Sequence, residues 1–310
     1  MTTEKHISRR AALAGAATLP FAAAVAGTAS AQSAEQQGQQ VPKVNRVMVG
    51  GFEVTALMAG TATREDPHSI FGLNASDEEF AAASEAALIP TDKAQFFFTP
   101  TLVNTGEALI LFDTGLAPDA IIAAVEAAGY APEDVTHVVI THMHGDHVGG
   151  LTAGDGPTFA NAQHVTGQVE YDYWSETGGD AFENKIAPLS DAFEFIADGD
   201  ELTSGVTARM APGHTPGHMC FMLESDGQRL MLIADLANHY IWSLQHPDWE
   251  VSFDTDKAQA VESRREVLTM LAEEQIPFIG YHMPFPAIGY AVADGDGFTY
   301  VPHSYQLMLG

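Results

Sequence analysis

Residues 141–150 read Thr141-His142-Met143-His144-Gly145-Asp146-His147-Val148-Gly149-Gly150, and they constrain the fold more tightly than any other stretch. Three histidines and one aspartate fall within six residues, directly after the β-branched run 135–141, which predicts a buried strand. In an extended segment positions i and i+2 point the same way, so His142 and His144 can share one metal ion. Gly145 permits a turn that lets Asp146 and His147 swing toward a second ion beside the first. Imidazole and carboxylate donors without thiolate suit two divalent ions, zinc before manganese, iron or cobalt. A surface histidine cluster would need neither the glycines nor the apolar strand feeding it.

Working outward, residues 46–49 and 52–57 flank Gly50-Gly51 as a hairpin. Residues 64–92 read as a surface excursion with a short helix over 77–88. Residues 96–103 and 108–112 predict paired strands joined at Asn104-Thr105-Gly106, and Asp113-Thr114-Gly115 ends the second. Residues 118–128 carry helical periodicity closed by Gly129, and 168–188 hold short helical pieces. Strands are expected at 206–210, 218–224, 229–234, 276–281 and 297–301. The strongest helix is 256–274, with the apolar stripe Ala260, Val261, Val267, Leu268 and Leu271. No short-period repeat and no second change of composition interrupts residues 44–310, so they predict one layered α/β domain.

Ahead of that domain, Lys5, Arg9 and Arg10 precede an alanine-rich apolar run and then Ala29-Ser30-Ala31, the pattern of a signal peptide over 1–31. Arg9-Arg10 after Ser8 suggests the twin-arginine route, and residues 32–43 form a Gln-rich flexible leader. The expected location is therefore periplasmic or secreted. The net charge of -28 repels phosphate backbones and anionic lipids, which excludes nucleic acid and membrane surfaces as partners. Cys220 is the only cysteine, so no intrachain disulfide can form. It lies in Met219-Cys220-Phe221-Met222-Leu223, where a small buried hydrophobe is expected rather than a nucleophile.

The segment His142-x-His144-x-Asp146-His147 resembles the signature of the metallo-β-lactamase superfamily, and the resemblance continues through most of residues 44–310. It implies a four-layer αββα sandwich. Asp113-Thr114-Gly115 is similar to the family turn whose aspartate supports the metal loop from behind. Pro212-Gly213-His214-Thr215-Pro216-Gly217-His218 is similar to the element whose first histidine is a ligand, which leaves His218 as a structural neighbour. Asp235, at a strand end, matches the bridging aspartate, and Gly280-Tyr281-His282 supplies the last ligand. The resemblance thus implies one site of His142, His144, His214 and Asp235, and another of Asp146, His147, His282 and Asp235. It also implies a homodimer.

Two such ions can hold a bridging hydroxide that attacks an electrophilic carbonyl or phosphoryl centre. Asp146 and Asp235 are the catalytic candidates, Asp146 as an acceptor of the nucleophile's proton. Asp235 stands where the B1 and B2 β-lactamases carry cysteine. No Lys or Arg follows Arg265, which argues against a glutathione thioesterase, and Asn238 replaces a tyrosine frequent in acyl-homoserine lactonases. Gly51-Phe52-Glu53-Val54-Thr55-Ala56-Leu57 and His282-Met283-Pro284-Phe285-Pro286-Ala287-Ile288-Gly289 resemble the group of methyl parathion hydrolase and its lactonase and arylesterase relatives. Ala59 and Ala234 depart from that group's frequent Asp and Gly. The expected substrate is a small, hydrophobic, neutral lactone, aryl ester or phosphotriester, contacted by Phe97, Trp174, His239 and Tyr240. Two other readings stay open: a mononuclear iron oxygenase acting on sulfur with the same fold, and a non-catalytic periplasmic metal-binding protein.

Overall fold

A computed structural model describes residues 36, 38, 40–154 and 156–309. The expected signal peptide lies outside the described residues, as does much of the expected leader. Residues 41–310 form a single compact unit, and no described helix is long and apolar enough to cross a membrane.

Two seven-stranded sheets lie face to face. The first runs in the order Val44–Val49, Phe52–Leu57, Thr101–Asn104, Leu109–Phe112, His137–Ile140, Gln163–Gly167, Phe193–Ile196. The second runs Glu201–Thr203, Val206–Met210, Met219–Ser225, Gln228–Ala234, Phe278–Gly280, Ile288–Asp294, Gly297–Pro302. Alternation along the strands builds the layers. In the first sheet Val47, Val49, Ile110, Phe112 and Val139 join a core shared with Phe221, Leu223, Leu230 and Leu232 of the second. Leu109, Leu111, Val138 and Ile140 point the other way, onto Ile121, Ala124 and Val125 of helix Pro118–Ala127. Helix Lys257–Glu273 contributes Val267, Leu268 and Leu271 on the side of the second sheet. The result is the expected αββα stacking.

The helix expected over 256–274 is Lys257–Glu273, started by Asp256, whose side chain accepts from the Gln259 amide. The strand expected over 96–103 is corrected. Lys93–Phe98 pairs with Gly60–Glu65 in a separate two-stranded ladder, and Thr101–Asn104 belongs to the first sheet. The break falls at Thr99-Pro100, because Pro100 has no N–H to donate to a ladder. The excursion expected over 64–92 therefore opens with a strand that begins at Gly60 and holds helix Asp77–Ala86, closed at its start by a Ser76–Glu79 capping box. Strands Gln163–Gly167, Phe193–Ile196 and Ile288–Asp294 carried no clear period in the sequence.

Candidate metal centre

Strand His137–Ile140 delivers the chain to Thr141, where Asp113 receives it. The Asp113 carboxylate accepts from the Thr141 amide at 2.9 Å and from its hydroxyl. It also accepts from His147 Nδ1 at 2.8 Å. Thr114 donates its hydroxyl to the His147 carbonyl at 2.8 Å. The turn 113–115 thus holds the metal loop by main chain and side chain together. Gly149 and Gly150 allow this approach: a Cβ on either would lie 2.4 Å from the Leu116 carbonyl or 2.2 Å from that of Thr114.

The seven expected ligands converge from four places in the sequence. His142 Nε2, His144 Nδ1 and His214 Nε2 lie 3.0–3.2 Å from one another. Asp146, His147 and His282 form a second group, with Asp146 Oδ2 at 3.7 Å from His147 Nε2 and 3.3 Å from His282 Nε2. Asp235 sits between them. Its Oδ2 is 3.3 Å from His214 Nε2 and 3.2 Å from His282 Nε2, and its Oδ1 is 3.3 Å from His147 Nε2.

Three features of this geometry fit two divalent cations that share Asp235. First, His147 Nε2 and Asp235 Oδ1 are buried and have no hydrogen-bond partner, although they face each other; a cation between them would satisfy both. Second, burial and the neighbouring His147 and His214 push the His142 imidazole well below its usual range. Burial and His214 bring His144 down to about 3. Both therefore present lone pairs, as ligands must. Third, the carboxylates demand positive charge. Against its burial, Asp235 and Asp113 drive His147 well up, and Asp235 with Asp146 drives His282 to about 10. Burial would raise Asp146, yet His147 and His282 hold it at about 2, ionised at neutral pH.

The outward ring nitrogens are also fixed, which sets the tautomers. His214 Nδ1 donates to Asp254 at 2.9 Å, and Asp254 accepts in turn from the buried Arg264 at 3.0 Å. His282 Nδ1 donates to the Phe97 carbonyl at 2.9 Å. His142 Nδ1 lies 3.2 Å from Thr141 Oγ1. His218 stays behind the cluster, where its Nε2 accepts from the Asp235 amide at 3.1 Å.

Glu170 joins the two histidine loops. This fully buried carboxylate accepts from the Met143 amide between His142 and His144, from the Thr215 hydroxyl and the Gly217 amide beside His214, and from Trp174 Nε1. Neither Glu170 nor Asp254 stands in a motif, so the sequence carried no signal for them.

A cavity of about 430 Å³ opens above the cluster, lined by Arg64, Phe96, Phe98, Leu116 and Phe253 together with His144, Gly145, Asp146, Asp235 and His282. The four expected pocket residues are absent from this lining. Phe97 alternates to the other face of its strand and offers only its carbonyl. Trp174 stands edge-on to His144 with its N–H held by Glu170. His239 is buried, stacked on Trp242 with ring centroids 3.9 Å apart, and Tyr240 packs toward the core beside Tyr300.

Residues 99–278 match the family described as the metallo-beta-lactamase superfamily. The chain belongs to that superfamily. Among curated relatives, the N-acyl homoserine lactonase of Bacillus cereus is 26% identical over 164 residues, 53% of this chain and 62% of the relative. N-acyl homoserine lactonase AttM of Agrobacterium fabrum (strain C58) is 30% identical over 142 residues, 41% of this chain and 48% of its own length. The chain thus spans less than two thirds of the curated relatives it matches. Solved structures cover it more fully. AidC, a dizinc quorum-quenching lactonase in complex with a product, N-hexnoyl-L-homoserine, is 26% identical with a TM-score of 0.78 over 85% of this chain and 98% of that one. The hydrolase AbOPH is 25% identical with a TM-score of 0.80, over 86% and 100%.

Proposed function

We propose that the protein is a dinuclear metal-dependent hydrolase that opens lactones, with aryl esters as secondary substrates. The observation that carries this reading is Asp235, whose two oxygens face both ligand groups directly beneath an apolar cavity. His142, His144 and His214 would hold one ion, Asp146, His147 and His282 the other, and Asp235 both. When bound, the ions supply an activated water at neutral pH and polarise the carbonyl. The chain's own residues do the rest. Phe96, Phe98, Leu116 and Phe253 seat the apolar body of the substrate and limit water above the cluster. Asp146 is the most open carboxylate of the cluster, with 24% of its side chain exposed. Being ionised, it can accept the proton the attacking water loses. Asn238 donates to Asp235 Oδ2 at 2.8 Å and orients the shared carboxylate.

The lactonase relatives support lactones as the first substrate to try. Cys220 supports no rival nucleophile, since burial pushes its thiol up to about 12. The group of Asp146, His147 and His282 favours two ions over the single iron of a sulfur oxygenase. Metal analysis coupled to a panel of lactones, aryl esters and phosphotriesters tests the reading. About two zinc-like ions per chain, with lactone turnover abolished by chelation, is the expected result; one iron per chain, or hydrolysis that survives metal removal, overturns it.

A further inference from the structure

We propose that Arg64 is a specificity residue of this cavity, and that it receives a carboxylate the substrate carries at a distance from its reacting ester or lactone carbonyl. The inference rests on the hydrolase reading and narrows its substrate class from purely hydrophobic molecules to acid-bearing ones.

The strand register places Arg64. In the ladder of Gly60–Glu65 with Lys93–Phe98, Gly60 pairs with Phe98, Ala62 with Phe96 and Arg64 with Ala94. Paired residues of an antiparallel ladder project to the same face. Arg64 therefore stands in one row with Phe96 and Phe98, and all three line the cavity.

Its lack of a partner is the second observation. Arg46 is bonded to the Ala128 carbonyl and lies near Glu53. Arg209 meets Glu266, Arg229 meets Glu274, Arg264 meets Asp254 and Arg265 meets Asp248. Among the described residues, Arg64 alone of the arginines has a side chain that makes no hydrogen bond or ion pair. The chain has 41 acidic residues against 13 basic ones, so acidic partners are abundant. The unpaired arginine is the one at the cavity.

The third observation is the chemistry of the other walls. Phe96, Phe98, Leu116 and Phe253 offer no polar side-chain group, and the polar side chains at the floor, His144, Asp146, Asp235 and His282, belong to the ligand cluster. Arg64, exposed at the edge of the cavity, is thus the one cationic side chain of the lining outside the ligand cluster, and the one available to the part of a substrate away from the reacting carbonyl. A guanidinium fork matches a carboxylate with two parallel hydrogen bonds. The class that fits has an apolar chain over the phenylalanines, its reacting carbonyl at the cluster and a carboxylate at Arg64.

The test uses the zinc-loaded full chain, with Arg64→Met and Arg64→Lys beside the wild type. Substrates are mono-4-nitrophenyl esters of linear diacids from succinic to suberic acid, each matched to the ester of the monoacid of equal carbon number. Calorimetry measures binding of the free diacids and monoacids to the same proteins. For at least one chain length the wild type should prefer the diacid ester by about tenfold in kcat/KM, through KM. Arg64→Met should abolish that preference while leaving monoacid esters within about twofold, and Arg64→Lys should keep part of it. Diacid binding should show the same pattern. Ester hydrolysis with no diacid preference, or with one that survives Arg64→Met, overturns the proposal and leaves the hydrolase reading standing. Selective diacid binding lost in Arg64→Met, without turnover of any ester or lactone, keeps Arg64 and removes the hydrolase.

Discussion

His214 Nδ1 lies 2.9 Å from the Asp254 carboxylate, and that carboxylate holds the fully buried Arg264 on its other oxygen. The chain fixes one candidate ligand through a buried ion pair anchored in helix Lys257–Glu273. Asp254→Asn keeps the shape but replaces the carboxylate that accepts from His214 Nδ1 with a neutral carboxamide, so zinc affinity measured by chelator competition should fall by about tenfold to a hundredfold. Asp254→Ala leaves Arg264 buried without a counter-charge and should cost about 3–5 kcal/mol of stability in urea unfolding. An unchanged zinc affinity in the Asn variant would mean that Asp254 serves packing alone.

Asp235 gives the sharpest test of a shared ligand. Its oxygens reach His214, His282 and His147, so Asp235→Asn should disturb both ions rather than one. Lactone hydrolysis should fall by at least about a hundredfold, with fewer than two ions retained after dialysis. Full activity with two ions bound would remove the bridging role.

The ligand cluster was legible because metal chemistry leaves short-range marks: His142, His144, Asp146 and His147 sit in one turn, and His214, Asp235 and His282 each close a strand or its loop. The sheets were legible where short apolar runs lay between turn signals, as at 46–57 around Gly50-Gly51 and at 229–234, whose residues 230–234 are all buried. Gln163–Gly167 was not, since a parallel strand of five residues ends on a glycine and mixes Gln, His and Thr. Strand pairing governs what was missed at the cavity. Thr99-Pro100 divides what reads as one apolar run, and only the ladder of Gly60–Glu65 with Lys93–Phe98 turns Phe96, Phe98 and Arg64 to one side and Phe97 to the other. Glu170 and Asp254 act through contacts far along the chain, which spacing cannot reveal.

Glu170 predicts a coupling between the two histidine loops. A carboxylate can accept from the Met143 and Gly217 amides, the Thr215 hydroxyl and Trp174 Nε1 together, whereas a carboxamide has one accepting oxygen. Glu170→Gln should therefore leave at least one of these donors without a partner, at about 1–3 kcal/mol. It should also loosen His144 relative to His214 and lower zinc affinity. A variant with wild-type zinc affinity and stability would show that the loops are held without it.

His239 predicts an acid-sensitive step in stability. Burial against Trp242 and Phe71 brings its imidazole down to about 3, while its Nδ1 accepts from the Ile241 and Trp242 amides. The folded state thus keeps His239 neutral where the unfolded chain would protonate it. Its contribution is fully present above the unfolded value near 6.5 and is lost as pH falls from there toward about 3. Across that window each pH unit should remove about 1.4 kcal/mol. His239→Asn, which retains an acceptor, should flatten the fall in unfolding free energy between about pH 6.5 and 5 by nearly one proton; an unchanged slope would assign the acid sensitivity elsewhere.

Phe253 and Phe97 separate the cavity from its surroundings. Phe253 lines the cavity, is 39% exposed and meets Phe96 edge-on, so truncating it removes apolar contact with a substrate at little cost to the core. Phe97 points to the opposite face of its strand, and its carbonyl, which receives His282 Nδ1, survives any side-chain change. Phe253→Ala should raise KM for long-chain lactones by about tenfold, the loss expected when an aromatic contact worth about 1–2 kcal/mol disappears. Its effect on kcat should be small, because no group near the reacting carbonyl moves. Phe97→Ala should leave KM within about twofold and register only in thermal stability. The reverse pattern, with KM sensitive to Phe97 and indifferent to Phe253, would place the substrate on the other side of the ladder and displace Arg64 from its path as well.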